Sequence, residues 1–542
     1  MLLSPSVPLV GALCAGFLIL HYLVQRLHHY KKAKAWNCEP PRPGPSGFFG
    51  IPGFYRLSKA VREKRWIDYL AEQYDVVGRN TFSMQFLNRR MLTTIEPENI
   101  KAVLATQFQD FSLGTRHEQF DPLLGDGIFT LDGAGWSHAR SLLRPQFTRD
   151  QVADLALLDD HIQHLLKLIP KDRSSFDIQR LFFLLTLDSA THFLFGESVG
   201  CMNSSETTDV LAKCAVRNAQ GFADAFTTAQ DYLAARSRAQ GLYWLVNPKE
   251  FREANRRVHE VVDYYVNMAL AKKRNPEKKP EGGRYIFLDA LVAETEDPKM
   301  LRDNMLNILL AGRDTTASLL SSTFFYLARH PPAWNRLRQE IVEVFGDSKN
   351  PREITHTKLK DIPYLRYVLN EGEPYLETVA PIDRSQPPLT VPEVLRLQPP
   401  VPVNFRVATK DTSLPVGGGP DGRSPIYVQK GVIVAYSVFA MHRRTDFWGQ
   451  DATTFRPERW EENGKHGWEY LPFNGGPRIC LGQQYALTEA SYTVVRLMQH
   501  FDTLENADPN PRQEPIKNSN LTMMHDSGVA VRLYSSGGSL NG

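Results

Sequence analysis

The chain of 542 residues contains little cysteine and almost no excess of charge. Its five cysteines are scattered, which excludes a disulfide framework and is typical of a reducing compartment. With 63 basic and 60 acidic residues the net charge is +3, so the composition gives no case for nucleic acid as the main partner. Internal repeats and long low-complexity tracts are also lacking. The hydrophobic content of 42% is instead that of a globular protein with a large core.

One long run without acidic side chains, lysine or arginine stands at the N-terminus, from Val7 to Val24. About 18 residues are just long enough to span a bilayer. Basic residues follow the run and none precedes it, which predicts a membrane anchor with the rest of the chain in the cytosol. A cleaved signal peptide would need a basic start and a small-residue cleavage site, and both are missing. We predict an anchor with basic flank (1–35), a stiff Pro-rich hinge (36–47) and one domain (48–542).

Apolar residues at spacings of three and four dominate the rest of the sequence, whereas β signals are short. The helical pattern is strongest in Gln151–Ile169, Ser175–Leu194, Asn255–Lys273 and Met300–Arg329. The β signals lie in Asn80–Phe86, Arg90–Thr94, Ile426–Val428, Val432–Ala435 and Val529–Leu533. The predicted fold class is therefore mainly α with small β-sheets. The helix at Met300–Arg329 would extend for about 45 Å, enough to cross a whole domain.

The stretch FNGGPRICLG, from Phe473 to Gly482, carries the strongest chemical signal. A thiolate at Cys480 would be a soft axial ligand for haem iron, and glycines such as Gly482 let backbone amides approach the sulfur. Arg478 can pair with a haem propionate. A structural cysteine in a Gly-rich loop is the alternative. Five fixed residue types across ten positions arise by chance in roughly 10⁻⁴ of chains or fewer, which favours the ligand.

The long predicted helix contains AGRDTTAS, from Ala311 to Ser318. Ala311 and Gly312 are small, and they leave space on one helix face for a flat cofactor. Thr315 can donate to the carbonyl four residues earlier, and Asp314 beside it can relay protons for oxygen activation. An ordinary core helix with an incidental Asp-Thr-Thr is the alternative. Together with Cys480, the motif indicates an oxygen-activating site.

These motifs resemble those of the cytochrome P450 monooxygenases. The resemblance implies the cytochrome P450 fold, haem b as cofactor, and O2 and a reductase as partners. It also implies site residues: Trp136, Arg140 and Arg406 as propionate ligands, Phe473 and Gly482 around the cofactor, and a buried structural triad of Glu393, Arg396 and Arg459 that locks the cysteine loop.

Leu123–Phe147 and His442–Trp460 resemble more narrowly the alkane-assimilating class of fungal microsomal members. That class hydroxylates n-alkanes and fatty acids at or near the terminal carbon, in the endoplasmic reticulum membrane, with electrons from NADPH–cytochrome P450 reductase. Three alternatives stay open: another substrate class, a haem-thiolate enzyme that needs no reductase, and a non-functional product of a faulty gene model.

The segment 372–393 interrupts one amphipathic helix with five prolines between Pro374 and Pro392, and proline breaks helices. Without it, Glu371 would join Val394 and restore a continuous helix with the spacing E-x-x-R. We predict that the segment is an insertion, in the form of a retained intron translated in frame. If it is real, Glu393 and Arg396 still share a face of the resumed helix.

Overall fold

Four of the five predicted strand signals lie in the first of two compact units, which comprises residues 1–59, 69–112 and 405–437, and the fifth, Val529–Leu533, lies in the second. The structure is a computed structural model that describes residues 7–86, 89–147, 155–203, 214, 218–274, 285–369, 393–462, 466–510 and 514–535. The second unit comprises residues 60–68, 113–404 and 438–542.

A six-stranded sheet, with strand order β1-β2-β3-β9-β6-β4, organises the first unit. Its strands are β1 (Arg42–Pro43), β2 (Thr81–Phe86), β3 (Arg89–Thr94), β4 (Phe111–Ser112), β6 (Val403–Ala408) and β9 (Ile433–Ser437), and β7 (Thr412–Gly418) pairs with β8 (Ser424–Val428). The helices are α1 (Val7–Ala35), α2 (Ile51–Arg62), α3 (Trp66–Val77) and α4 (Pro97–Lys101). Part of the Pro-rich stretch forms the edge strand β1, where proline is tolerated.

The N-terminal uncharged run lies in α1, and the C-terminal end of this helix is attached to the β7–β8 hairpin. Lys32 Nζ contacts Asp411 at 2.6 Å, and the Trp36 ring lies 5.5 Å edge-on from that of Tyr427. No helix within the described part of the chain is both long and apolar enough to cross a membrane. The anchor therefore stays a prediction.

Helices make up most of the second unit. They are α5 (Arg116–Leu124), α6 (Gly133–Leu143), α7 (Leu155–Leu168), α8 (Ile178–Phe195), α9 (Ala219–Ala239), α10 (Lys249–Arg274), α11 (Phe287–Glu294), α12 (Pro298–Arg329), α13 (Pro331–Phe345), α14 (His356–Lys360), α15 (Pro363–Leu369), α16 (Glu393–Leu397), α17 (Val438–Met441), α18 (Thr445–Trp448), α19 (Arg459–Glu462) and α20 (Gln483–His500). The strands are β5 (Phe176–Asp177), β10 (Thr503–Asn506), β11 (Lys517–Ser519), β12 (Met523–His525) and β13 (Ala530–Tyr534). The predicted fold class, mainly α with small sheets, is confirmed.

The long helix α12 organises the second unit. It starts after Asp297, whose carboxylate accepts from the amides of Lys299 and Met300 and so satisfies two free donors of the first turn. It ends at Arg329, before the proline pair that begins α13, as the sequence predicted. Nearly all of its side chains from Asp303 onwards are buried, so both hydrophobic clusters of this unit pack against it. This packing fixes the positions of the predicted active-site residues that α12 carries, Ala311 to Thr315.

The two halves of the interrupted helix are both present, as α15 and α16. The buried side chains of Val368 and Leu369 belong to the same hydrophobic cluster as those of Val394 and Leu395. Residues 372–392 lie outside the described residues, so the predicted insertion is not tested by the coordinates.

Candidate active site

Cys480 lies on a short loop just before α20. The loop closes on itself because the Cys480 amide donates to the Phe473 carbonyl at 3.0 Å. Gly476 has φ of +68°, which glycine adopts without steric cost. Cys480 is exposed and lies two residues before Gly482, the residue that immediately precedes the 18-residue helix α20. A helix N-terminus favours negative charge, so the position stabilises a thiolate.

The remaining cysteines have different surroundings. Cys38 and Cys214 are buried, and burial raises the pKa of the half-buried Cys201 thiol far above its usual value. Cys14 is exposed in α1. Among the described cysteines of the second unit, only Cys480 is exposed, and it lies on an ordered loop.

Helix α6 brings two predicted cofactor ligands next to this loop. Arg140 donates to the Ile479 carbonyl at 3.0 Å, one residue before the cysteine. Burial lowers the pKa of Arg140, and the negative charge of Cys480 partly opposes that effect. Trp136, four residues earlier on the same face, has two cations near its ring: the guanidinium carbon of Arg478 is 4.5 Å from the ring centroid and that of Arg140 is 5.9 Å from it. Helix α6 therefore brings Trp136 and Arg140 together beside Arg478 and the cysteine loop, and their role as propionate ligands stays a prediction.

Arg478 is bonded mainly to the chain that precedes α6. It donates to the carbonyls of Ile128 (3.2 Å) and Leu131 (2.9 Å) and to the Asp132 carboxylate (2.6 Å). The other oxygen of Asp132 accepts from the Leu113 amide at 2.8 Å. Asp132, which the sequence reasoning missed, therefore ties the start of α6 to the cysteine loop. Its position before a helix predicts a capping role, but its side chain makes no cap hydrogen bond with α6, so the sequence carried no signal for the contacts it makes.

The long helix presents one partly open face. Between Asp303 and Ala328, the residues that are not buried are Ala311, Gly312 and Thr315. A methyl group built on Gly312 would meet only Ala190, at 3.9 Å. Thr315 donates to the Ala311 carbonyl at 2.6 Å, as predicted. The opening is thus lined by the small residues that the sequence singled out, on a helix that is otherwise enclosed.

Asp314 is buried, whereas its neighbour Thr315 is not. Its carboxylate is 3.4 Å from Arg313, whose guanidinium donates to the Thr227 hydroxyl and stacks on the rings of Phe183 and Phe226. Burial raises the pKa of Asp314, and Arg313 partly opposes that shift. Within the described residues no direct hydrogen bond joins Asp314 to Thr315. The predicted acid and alcohol are neighbours in sequence but have separate partners.

The buried triad forms as predicted. Glu393 accepts from Arg396 at 2.7 and 2.9 Å and from Arg459 at 3.0 Å, and all three side chains are at most 1% exposed. The amide of Arg456 and the indole of Trp460 donate to the same carboxylate. The two arginines also donate to backbone carbonyls between His442 and Thr454, so the triad fixes the course of the chain that leads to the cysteine loop.

Arg406 belongs to the first unit. It lies in β6, it is 4% exposed, and its guanidinium donates to the Phe405 carbonyl at 2.8 Å. Its role as a propionate ligand stays a prediction.

The family is decided by comparison with known proteins. The sequence model of the cytochrome P450 family matches residues 40–372 and 388–530. The chain belongs to the cytochrome P450 family. Cytochrome P450 52A12 of Debaryomyces hansenii is 50% identical over 507 residues, which are 92% of this chain and 93% of that protein. Cytochrome P450 52A13 of the same organism is 49% identical, and cytochrome P450 52A3-B of Candida maltosa 47% identical, each over 96–97% of both chains. The predicted resemblance is confirmed.

As a cytochrome P450, the protein is a monooxygenase that uses haem with a cysteine thiolate on the iron, together with O2, a small-molecule substrate and a redox partner. The described residues fit that cofactor. An exposed thiol at a helix N-terminus, two cations beside an indole, and an open face of small residues on a buried helix all lie in the second unit.

Glu489 in α20 is a second buried acid that the sequence did not single out. It is 1% exposed and accepts a hydrogen bond from the Ser189 hydroxyl. Burial raises its pKa from 4.5 to about 7. The folded protein keeps this proton up to a higher pH than the unfolded chain does. The stabilisation from this proton is therefore fully present below pH 4.5, falls as the pH rises to about 7, and is absent above that range.

We therefore expect Glu489→Gln to flatten part of this pH dependence. The glutamine side chain still accepts from Ser189 but cannot ionise. The difference in free energy of unfolding, variant minus wild type, should therefore increase by about 3 kcal/mol between pH 4.5 and about pH 7. Thermal unfolding of both proteins at a series of pH values measures this. Parallel curves for the two proteins would contradict it.

Proposed function

We propose that this cytochrome P450 hydroxylates long-chain aliphatic substrates, either fatty acids or n-alkanes, at or near the terminal carbon, with electrons from NADPH delivered by NADPH–cytochrome P450 reductase. The observation that carries the proposal is the resemblance of Leu123–Phe147 and His442–Trp460 to the alkane-assimilating class. The identity of 47–50% to members of the 52A group, over nearly the whole chain, supports it.

The residues around Cys480 have distinct tasks in this proposal. Cys480 supplies the thiolate, and Trp136, Arg140 and Arg478 bind the carboxylates at the rim of the cofactor. Haem, when bound, supplies the oxygen-activating chemistry. Arg140 and the helix dipole of α20 hold the thiolate ionised by lowering the free energy of the charged form.

In this proposal the long helix α12 leaves room for the cofactor and carries the residues that transfer protons. Ala311 and Gly312 leave room beside the helix. The Thr315 hydroxyl donates its proton to the Ala311 carbonyl, so its oxygen lone pairs remain available to accept a hydrogen bond from a proton donor. Asp314 is the proton source in this proposal, because its raised pKa favours the protonated carboxyl.

The substrate proposal is tested by incubating the purified protein with the reductase, NADPH and a chain-length series of fatty acids and n-alkanes. We expect hydroxylated products with oxygen at or near the chain end. Products only from other substrate classes would overturn the substrate assignment. A reduced, carbon monoxide-bound difference spectrum without a thiolate-type Soret band, after haem is supplied, would overturn the catalytic assignment as well.

For localisation we propose single-pass anchoring in the endoplasmic reticulum membrane through α1, with the catalytic part in the cytosol. Phe17, Leu18, Ile19 and Leu20 of that helix are all more than 60% exposed, and the basic residues follow on one side. Deletion of residues 1–35 should release the protein from membranes at high salt. Unchanged membrane recovery would contradict the proposal.

For residues 372–393 we propose a retained intron. The family match breaks off at residue 372 and resumes at 388, and the flanking helices α15 and α16 share one hydrophobic cluster. The segment has 22 residues, a whole number of codons. Sequencing of the transcript decides the matter, and a single unspliced product would refute the proposal.

A further inference from the structure

His442 is a buried histidine between the triad and the chain that leads to the cysteine loop. It follows α17 and is 0% exposed. Its ring is stacked on that of Tyr470, with centroids 4.7 Å apart and planes 17° apart, and the Trp448 ring meets it edge-on at 6.4 Å. A ring so enclosed has one orientation, so its two nitrogens are aimed at fixed partners.

Each ring nitrogen has a backbone partner. Nε2 lies 2.9 Å from the Leu471 amide nitrogen, and Nδ1 lies 3.2 Å from the Arg396 carbonyl oxygen. A backbone amide can only donate, so Nε2 accepts and carries no proton. Nδ1 then carries the proton and donates to Arg396. The contacts themselves therefore fix a single neutral tautomer.

The contact with Arg396 is reciprocal. The Arg396 guanidinium donates to the His442 carbonyl at 2.8 Å, while the His442 ring donates to the Arg396 carbonyl. Arg396 is in turn held by Glu393. His442 thus extends the buried triad by one step, and its other nitrogen reaches the chain that runs from Leu471 through Phe473 to Cys480.

We propose that His442 is a positioning residue that transmits the rigidity of the Glu393–Arg396–Arg459 triad to the cysteine loop, through the hydrogen bond from Leu471. The His442 side chain accepts from the Leu471 amide and also contacts Arg396, so it joins the segment before Cys480 to the triad. Loss of that acceptor leaves a buried amide without a partner, and the loop loses its attachment ahead of Phe473. The proposal rests on the proposed function only in taking Cys480 as the iron ligand.

Two substitutions separate the two nitrogens. In His442→Gln the side-chain oxygen reaches the place of Nε2 and keeps an acceptor for Leu471, while the donor to Arg396 is lost. In His442→Asn the amide nitrogen takes the place of Nδ1 and keeps the donor to Arg396, while Leu471 loses its acceptor. Both are neutral amides of lower volume than imidazole, so they are matched controls for loss of the ring.

The first measurement uses full-length protein without haem. Hydrogen exchange of the peptide that contains Leu471 should be roughly tenfold faster in His442→Asn than in His442→Gln, because only the former lacks the acceptor. A peptide from α13, far along the chain from His442, serves as the internal reference for global opening.

The second measurement uses protein loaded with haem. The fraction of the reduced, carbon monoxide-bound form with a thiolate-type Soret band should stay near the wild-type value in His442→Gln and fall severalfold in His442→Asn. Equal behaviour of the two variants in both measurements would overturn the proposal and leave His442 an ordinary core residue. A wild-type protein that itself lacks the thiolate-type band would instead refute the proposed function, whatever the exchange data show.

Discussion

Replacing Cys480 by serine should abolish the thiolate-type Soret band and the monooxygenase activity. Serine has nearly the shape of cysteine, so the loop with its Phe473 contact is retained. A hydroxyl is far less acidic than a thiol, so neither the helix dipole of α20 nor Arg140 holds it ionised at neutral pH. The expected activity is below the detection limit, while the far-ultraviolet circular dichroism stays that of the wild type.

Cys201→Ser and Cys14→Ser are the controls for this experiment. Cys201 is half-buried with a strongly raised thiol pKa, and Cys14 is exposed in α1. Both variants should keep the thiolate-type band. If Cys480→Ser keeps the band as well, another cysteine holds the iron and the assignment of Cys480 is wrong.

Glu393→Gln should prevent stable haem incorporation. The carboxylate accepts five hydrogen bonds and neutralises two arginines that are at most 1% exposed. The amide keeps the size of the side chain but removes the charge and turns one acceptor into a donor, which then faces guanidinium or indole N–H groups. Removing one partner of such a buried pair costs about 3–5 kcal/mol because a charge is left uncompensated. Denaturant unfolding and the haem content of the purified protein measure the two effects.

Glu461→Gln is the matched control on the surface. Glu461 contacts Arg336 at 2.6 Å, but both side chains are about 40% exposed. Exposed ion pairs contribute roughly 0–1 kcal/mol, so this variant should keep its haem and nearly all of its stability. Equal losses in the two variants would show that the buried triad has no special role.

The sequence was sufficient for features in which neighbouring residues determine the outcome. The boundaries of α12 were predicted within two residues, because Asp297 caps its start and a proline pair follows its end. The helix predicted from Asn255 begins earlier, at Lys249, since amphipathic spacing marks a buried face and does not mark the first turn. The pattern predicted from Ser175 likewise includes a short strand, β5, whose pairing with β13 depends on residues far along the chain.

The chemistry of the site was also predictable at the level of residue types. Cys480 with its glycines, the Ala311–Thr315 face, and the spacing of Trp136 and Arg140 each follow from one short stretch. Tertiary structure decided the partners. Arg478 is bonded to Asp132 and to two carbonyls of the preceding loop, and Asp314 turns towards Arg313. Such partners come from other elements, which the local pattern does not identify.

The sequence by itself therefore determined the fold class and singled out the iron ligand as a residue in a motif, and it predicted that residues 372–393 interrupt one helix. Only the tertiary structure decided that α15 and α16 share one core, that Glu489 is a buried acid, and that His442 joins the triad to the cysteine loop. The physical reason is that motifs are read from local spacing, whereas burial and hydrogen bonding depend on which distant segments exclude water from each side chain.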